Sequence, residues 1–202
     1  RIEDAEDYAN QQQLEPAAAA KTRDIAVVAG AALAMLGVRA LKVLPSIPFA
    51  PGHKLVLLTP LYVAASMASK SPFGATLEGL TMGTISFLMG DGRYGIFEIA
   101  KHVAPGVLCD LLVPLMTGGR RRPGPLAWAI LGGVIAIGRF ATIFAISLAL
   151  GVPSLAWAFL LPGLAVHIGF GVVSGWLTVP LVRSMDQWRD ERDAMESLEP
   201  PA

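Results

Sequence analysis

Apolar residues fall along this chain in blocks, not in alternation, and the blocks have the length of membrane-crossing helices. A helix needs about 20 largely apolar residues to cross the hydrocarbon, within a range of about 17–25. Ile25–Leu41, Phe73–Met89 and Leu126–Leu150 meet that requirement, and Leu155–Val182 is longer than it needs to be. Leu55–Ser69 is short and lengthens only by drawing on the loop before it. Ile96–Met116 qualifies only if its charged residues sit at its ends or face inward. Six spans are the simplest total. The fold class expected is therefore an all-α integral membrane protein, a compact bundle of six transmembrane helices.

The connectors carry residues that stop helices. Pro45, Pro48, Pro51 and Gly52 make the first an extended loop. Ser71-Pro72 makes a tight second turn, followed by GDGRYG, TGGRRRPGP and GVPS as the third to fifth. None is long enough for a second domain. The chain divides into a polar, then alanine-rich lead-in over residues 1–21, a membrane domain over 22–183 and a charged tail over 184–202, the tail reading as a helical extension of the last span. The lead-in lacks a basic start followed by an apolar core, so it does not read as a secretory signal.

Composition agrees with the pattern. Of 202 residues, 53% are hydrophobic and 16% charged, against about 25% charged in a soluble domain. Lys+Arg and Asp+Glu are equal at 16 each, so net charge indicates neither an acidic nor a basic partner, and nothing suggests nucleic acid. The distribution of charge is more informative. With the amino terminus inside, Arg1, Lys21, Arg23, Lys70, Arg120, Arg121, Arg122, Arg183, Arg189 and Arg192 fall on the cytoplasmic side. Arg39, Lys42, Lys54, Arg93 and Lys101 fall outside, so both termini are expected to be cytoplasmic. The lone Cys109 lies in an apolar run and reads as a buried thiol.

Polar residues gather on the outer side. Arg39, Lys42, His53, Lys54, Asp91, Arg93, Glu98, Lys101 and His102 form an expected rim with five cations and two acids, which would attract an anionic small molecule; any one of them alone reads as ordinary solvated interface, and it is their concentration on one side that favours a site. Arg139, His167 and Asp110 lie deeper in the fourth to sixth spans. An ionised group facing lipid costs about 2.5–3.5 kcal/mol on insertion scales, so these should face inward. Arg139 with Asp110 is the natural ion pair, while Arg139 and His167 are placed where an outward pocket would end. Glu78 is expected to snorkel or to meet a partner.

On the first helix, Ala26, Gly30 and Ala34 recur every fourth residue and share a face. Such a stripe lets helices approach closely in lipid, either within the bundle or against another protein. Gly132, Gly133 and Gly138, with Gly163, Gly169, Gly171 and Gly175, thin the fifth and sixth spans for close packing or a ligand. No phosphate-cradling GxxxxGK[ST], HExxH, GxSxG or paired-cysteine metal site is present. The chain carries no recognised engine for transport and no recognised catalytic spacing.

Six spans in about 160 residues, the stripe Ala26, Gly30, Ala34, the loop IPFAPGH, the pattern FGATLEGLTMGTISFLMGDG and the following APGVLCDLL together resemble the substrate-binding membrane subunits of energy-coupling-factor transporters. These are ABC-type importers of vitamins and trace nutrients in prokaryotes. The resemblance covers residues 22–183. It implies a multi-pass protein of the prokaryotic cytoplasmic membrane that binds a small molecule and is not itself an enzyme. It also implies that Ala26, Gly30 and Ala34 dock on a membrane scaffold subunit driven by two cytoplasmic ATPases. ATP would then act on those partners, with no cofactor or metal in this chain. The amino-terminal histidine motif of the nickel and cobalt branch is not seen, and His53, His102 and His167 are scattered. Two other readings remain beside this one: a structural or assembly subunit without a ligand, and a lipid-modifying enzyme using Glu98, Lys101 and His102.

Overall fold

A computed structural model describes residues 21–35, 37, 58–90, 94–118 and 122–196. Among them there is no strand, and the helices are α1 (21–35), α2 (Leu58–Ala68), α3 (Gly74–Leu88), α4 (Phe97–Thr117), α5 (Pro125–Ala149), α6 (Pro153–Ala158) and α7 (Leu160–Glu196). Few residues separate α2 from α3, α3 from α4 and α4 from α5, so these neighbours run antiparallel. Among the described residues three helices are long and apolar enough to cross a membrane: α4, α5 and the greater part of α7. The bundle is thus all-helical with at least three potential spans, while α2, at 11 residues, is a shorter apolar helix. The Pro/Gly-rich first loop lies outside the described residues.

The sixth expected span differs from its outline. Gly151 takes φ 78°, a left-handed turn conformation that glycine adopts without steric cost. After it α6 runs for only six residues, and α7 then continues without interruption past the apolar block into the charged tail. As far as Glu196, the tail is part of the same helix as the last span. In the third turn, Gly90 and Gly95 are left-handed at φ 64° and 55°, which lets α3 reverse into α4.

Glycines decide which helices touch most closely. Gly79 and Gly83, four apart on α3, face α4, where a Cβ at Gly83 would lie 2.7 Å from the Ile99 Cα. Gly106 on α4 answers them by lying against the Ala75 carbonyl of α3. The second pair, α5 with α7, repeats the device. A Cβ on Gly132 would lie 2.6 Å from the Gly175 nitrogen, and Gly171 lies against Gly132 and Ala136. In lipid such backbone contact supplies the dispersion attraction that the hydrophobic effect supplies in water. The central layer between the pairs is apolar, with Tyr62, Met82, Cys109, Trp128 and Ile135 fully enclosed.

One end of the bundle is tied by charge. Arg23 on α1 donates to the Ala68 carbonyl at 3.2 Å, and Arg189 on α7 donates to the Met67 carbonyl. Two cations thus sit on the carbonyl end of α2, where the helix dipole is negative. The Asp24 carboxylate accepts from the Lys70 N–H at 2.8 Å, closing the turn to α3. Arg122 reaches Asp190 at 2.9 Å and Asp186 at 3.8 Å, one turn apart on α7. Arg23, Lys70, Arg122 and Arg189, which the sequence assigned to one side of the membrane, therefore share one end of the fold.

Candidate functional site

The buried face of α4 carries Glu98, Lys101, His102, Pro105, Gly106, Cys109 and Val113, a helical spacing that turns one stripe inward. Its first three members are polar. Their exposures are 1% for Glu98, 9% for Lys101 and 2% for His102, so they are interior groups and not part of a solvated rim. The spacing explains the correction: these positions lie in register with Cys109 and Val113, and the face that buries those residues buries all of them. Glu98 and Lys101 form a salt bridge one turn apart, and the Lys101 ammonium lies 5.5 Å from the centre of the Tyr94 ring. Arg39, Lys42, His53, Lys54, Asp91 and Arg93, the remainder of the expected rim, lie outside the described residues.

Tyr62 on α2 joins the cluster from the opposite wall. Its hydroxyl donates to the His102 carbonyl at 2.9 Å and lies 3.4 Å from His102 Nδ1. Pro105 has no N–H to return to Lys101, so this turn of α4 has an altered bonding pattern beside the polar cluster.

From α5 and α7 come the two deeper residues singled out in the sequence. Arg139 is half-buried on α5, directly before the buried Phe140. His167 is buried, and its Nδ1 lies 2.8 Å from the Gly163 carbonyl. A carbonyl only accepts, so Nδ1 carries the proton and the neutral ring presents Nε2 as an acceptor. Phe140 stands edge-on to the ring at 5.1 Å, Phe144 stacks at 6.3 Å on Phe140, and Trp157 meets Phe144 at 5.1 Å. Gly163 makes room for Phe140, since a Cβ there would lie 2.9 Å from the Phe140 ring. The imidazole is thereby held in one orientation by an aromatic row running from α5 to α6.

Two acids behave differently from their expectation. Asp110, for which Arg139 was the natural partner, caps α3: Oδ1 accepts from the Ala75 N–H at 3.1 Å and Oδ2 from the Thr76 N–H at 2.8 Å and hydroxyl at 2.7 Å. Glu78 neither snorkels nor stands at a surface. It is 0% exposed, on the face of α3 that carries Gly79, Met82 and Gly83, and neither carboxyl oxygen has a hydrogen-bond partner. The sequence signal for this was present, because Glu78 falls beside Gly79 and four positions before Met82 on the glycine face.

The partner stripe lies elsewhere. Ala26, Gly30 and Ala34 are all exposed, and a Cβ on Gly30 would meet nothing within 4 Å. The opposite face of α1, with Ala32 and Met35, is the one that packs inward. No group of three or more metal-ligating side chains occurs among the described residues. The chain matches no protein-family model, no curated protein and no solved structure in comparisons with each.

Proposed function

We infer that this chain is a membrane-embedded subunit that binds a small, anionic nutrient, in the manner of the substrate-binding subunits of energy-coupling-factor importers. The observation that carries the reading is the burial of ionisable side chains on separate apolar helices, Glu98, Lys101 and His102 on α4 and His167 on α7, with Arg139 of α5 half-buried. Ionisable groups inside apolar helices are costly, and sites for ligands or ions are where proteins retain them. Arg139 is the residue assigned to the charge of the cargo, and His167 Nε2 is an acceptor for a hydroxyl or N–H that the cargo carries. The bare stripe of α1 supports the second half of the reading, in which a scaffold subunit covers that face and two ATPases supply the work. The outward pocket and a cytoplasmic location of both termini belong to the same proposal.

The test is mass spectrometry of small molecules released from purified protein, repeated on Arg139→Gln and His167→Ala. The expected result is a vitamin-like or cofactor-like anion in the parent and its loss in both variants, at unchanged melting temperature. A second reading, an assembly subunit without a ligand, is favoured by the internal Glu98–Lys101 pair, which sets two of the charges against each other. In that case both substitutions lower stability and no ligand is released.

A further inference from the structure

A groove of about 500 Å³ opens at the charge-tied end of the bundle, between α1 and α7, with Ala68 of α2 at its back. Its walls change character along their length. Val27 and Leu181 line the part nearer the middle of the bundle, Ser184 and Met185 follow, and Arg23, Trp188 and Arg189 line the part nearer the end.

The depth of this change can be set by helix length. From Leu160 to Val182 α7 is apolar and about 33 Å long at 1.5 Å per residue, close to the roughly 30 Å of a hydrocarbon core. Arg183 follows directly, then Asp186, Arg189 and Asp190. Leu181 and Met185 therefore stand at the edge of the hydrocarbon, and Trp188 and Arg189 stand in the headgroup layer. On α1, Val27 lies one turn deeper than Arg23, so both walls cross the same boundary at the same level. Trp188 is 77% exposed, as a tryptophan of a membrane-interface belt is.

We propose that this groove is a binding site for an anionic phospholipid, with its phosphate held between Arg23 and Arg189 and an acyl chain laid along Val27 and Leu181. Each guanidinium has five N–H donors and gives one nitrogen to the α2 carbonyls, which leaves further donors for phosphate oxygens. The carbonyl contacts hold both side chains in place, so little rotamer freedom is lost on binding. A soluble anion uses the guanidinia but leaves the apolar wall bare, whereas a phospholipid fills both parts. The proposal requires only that α7 crosses a membrane, so it fails or stands independently of cargo binding.

The test uses the full chain in detergent micelles titrated with brominated phosphatidylglycerol or brominated phosphatidylcholine, reading the tryptophan quenching that is lost in Trp188→Phe. Phosphatidylglycerol is expected to quench Trp188 at the lower midpoint, and Arg23→Gln and Arg189→Gln to raise that midpoint by roughly fivefold each. Because both arginines also cap α2, Val27→Phe serves as the second variant: it fills the apolar wall, leaves the caps intact and is expected to raise the midpoint as well. Equal midpoints for the two lipids would leave the groove to a protein segment and overturn the proposal. So would displacement of the lipid by soluble glycerol phosphate at equal concentration, or an unchanged midpoint in Val27→Phe.

Discussion

Asp110 of α4 caps α3 across the helix interface, its Oδ2 accepting from the Thr76 N–H at 2.8 Å and from the Thr76 hydroxyl at 2.7 Å. Helix α3 begins after Phe73, which offers no side-chain cap, and the neighbouring helix supplies what the local sequence lacks. The carboxylate of Asp110 is also the negative charge that the positive end of α3 favours.

Replacing that carboxylate should therefore act on stability first. Asp110→Ala is expected to cost about 1–2 kcal/mol, the usual range for loss of an N-cap, and Thr76→Val less, since the two backbone bonds survive. Thermal unfolding in detergent, followed by circular dichroism, measures both. Equal losses in the two variants would mean that the backbone bonds contribute little.

The glycines make opposite predictions at two places. Gly132→Leu places a side chain into the backbone of Gly171 and Gly175, where nothing flexible can yield, and should separate α5 from α7 at a cost of several kcal/mol. Gly30→Leu meets open space and should leave the melting temperature of the isolated chain unchanged. If α1 docks on a scaffold, the same Gly30→Leu abolishes copurification with it, so one variant separates folding from assembly.

Glu78 is a carboxyl with no hydrogen-bond partner in a closed interior, and such groups lower stability unless a function retains them. Glu78→Met keeps the volume and removes the polar atoms. It is expected to raise stability by about 1–2 kcal/mol. Chemical denaturation of parent and variant at the same pH reads the difference, and a large loss would reveal a partner for the carboxyl.

Arg122 is 68% exposed, and its bonds to Asp186 and Asp190 compete with water and salt. Arg122→Gln should leave the melting temperature within measurement error. Its use is topological. Labelling of Arg122→Cys from one side of sealed vesicles shows which end of the bundle faces the cytoplasm.

The helical class and most element boundaries were legible in the chain, because block length and turn residues are local properties. Phe73–Met89 and Ile96–Met116 agree with α3 and α4 to within a residue at each end. So was the helical continuation of the tail. The rim was less legible. Glu98, Lys101 and His102 were placed by their distance from a turn, but their angular position on α4 sets their burial, and that follows from which face meets α3. Glu78 was misjudged for the same reason.

By itself the sequence determined how many apolar blocks there are, where they break, and that Gly132, Gly171 and Gly175 could allow close approach, since composition and spacing are written along one dimension. Which partner each glycine meets, that Asp110 caps a helix 34 residues upstream of it, and that the stripe of α1 is left bare while its opposite face packs inward, were decided only by the tertiary structure. Those outcomes depend on the rotation of each helix about its axis. That rotation is set by backbone contact between helices far apart in the chain.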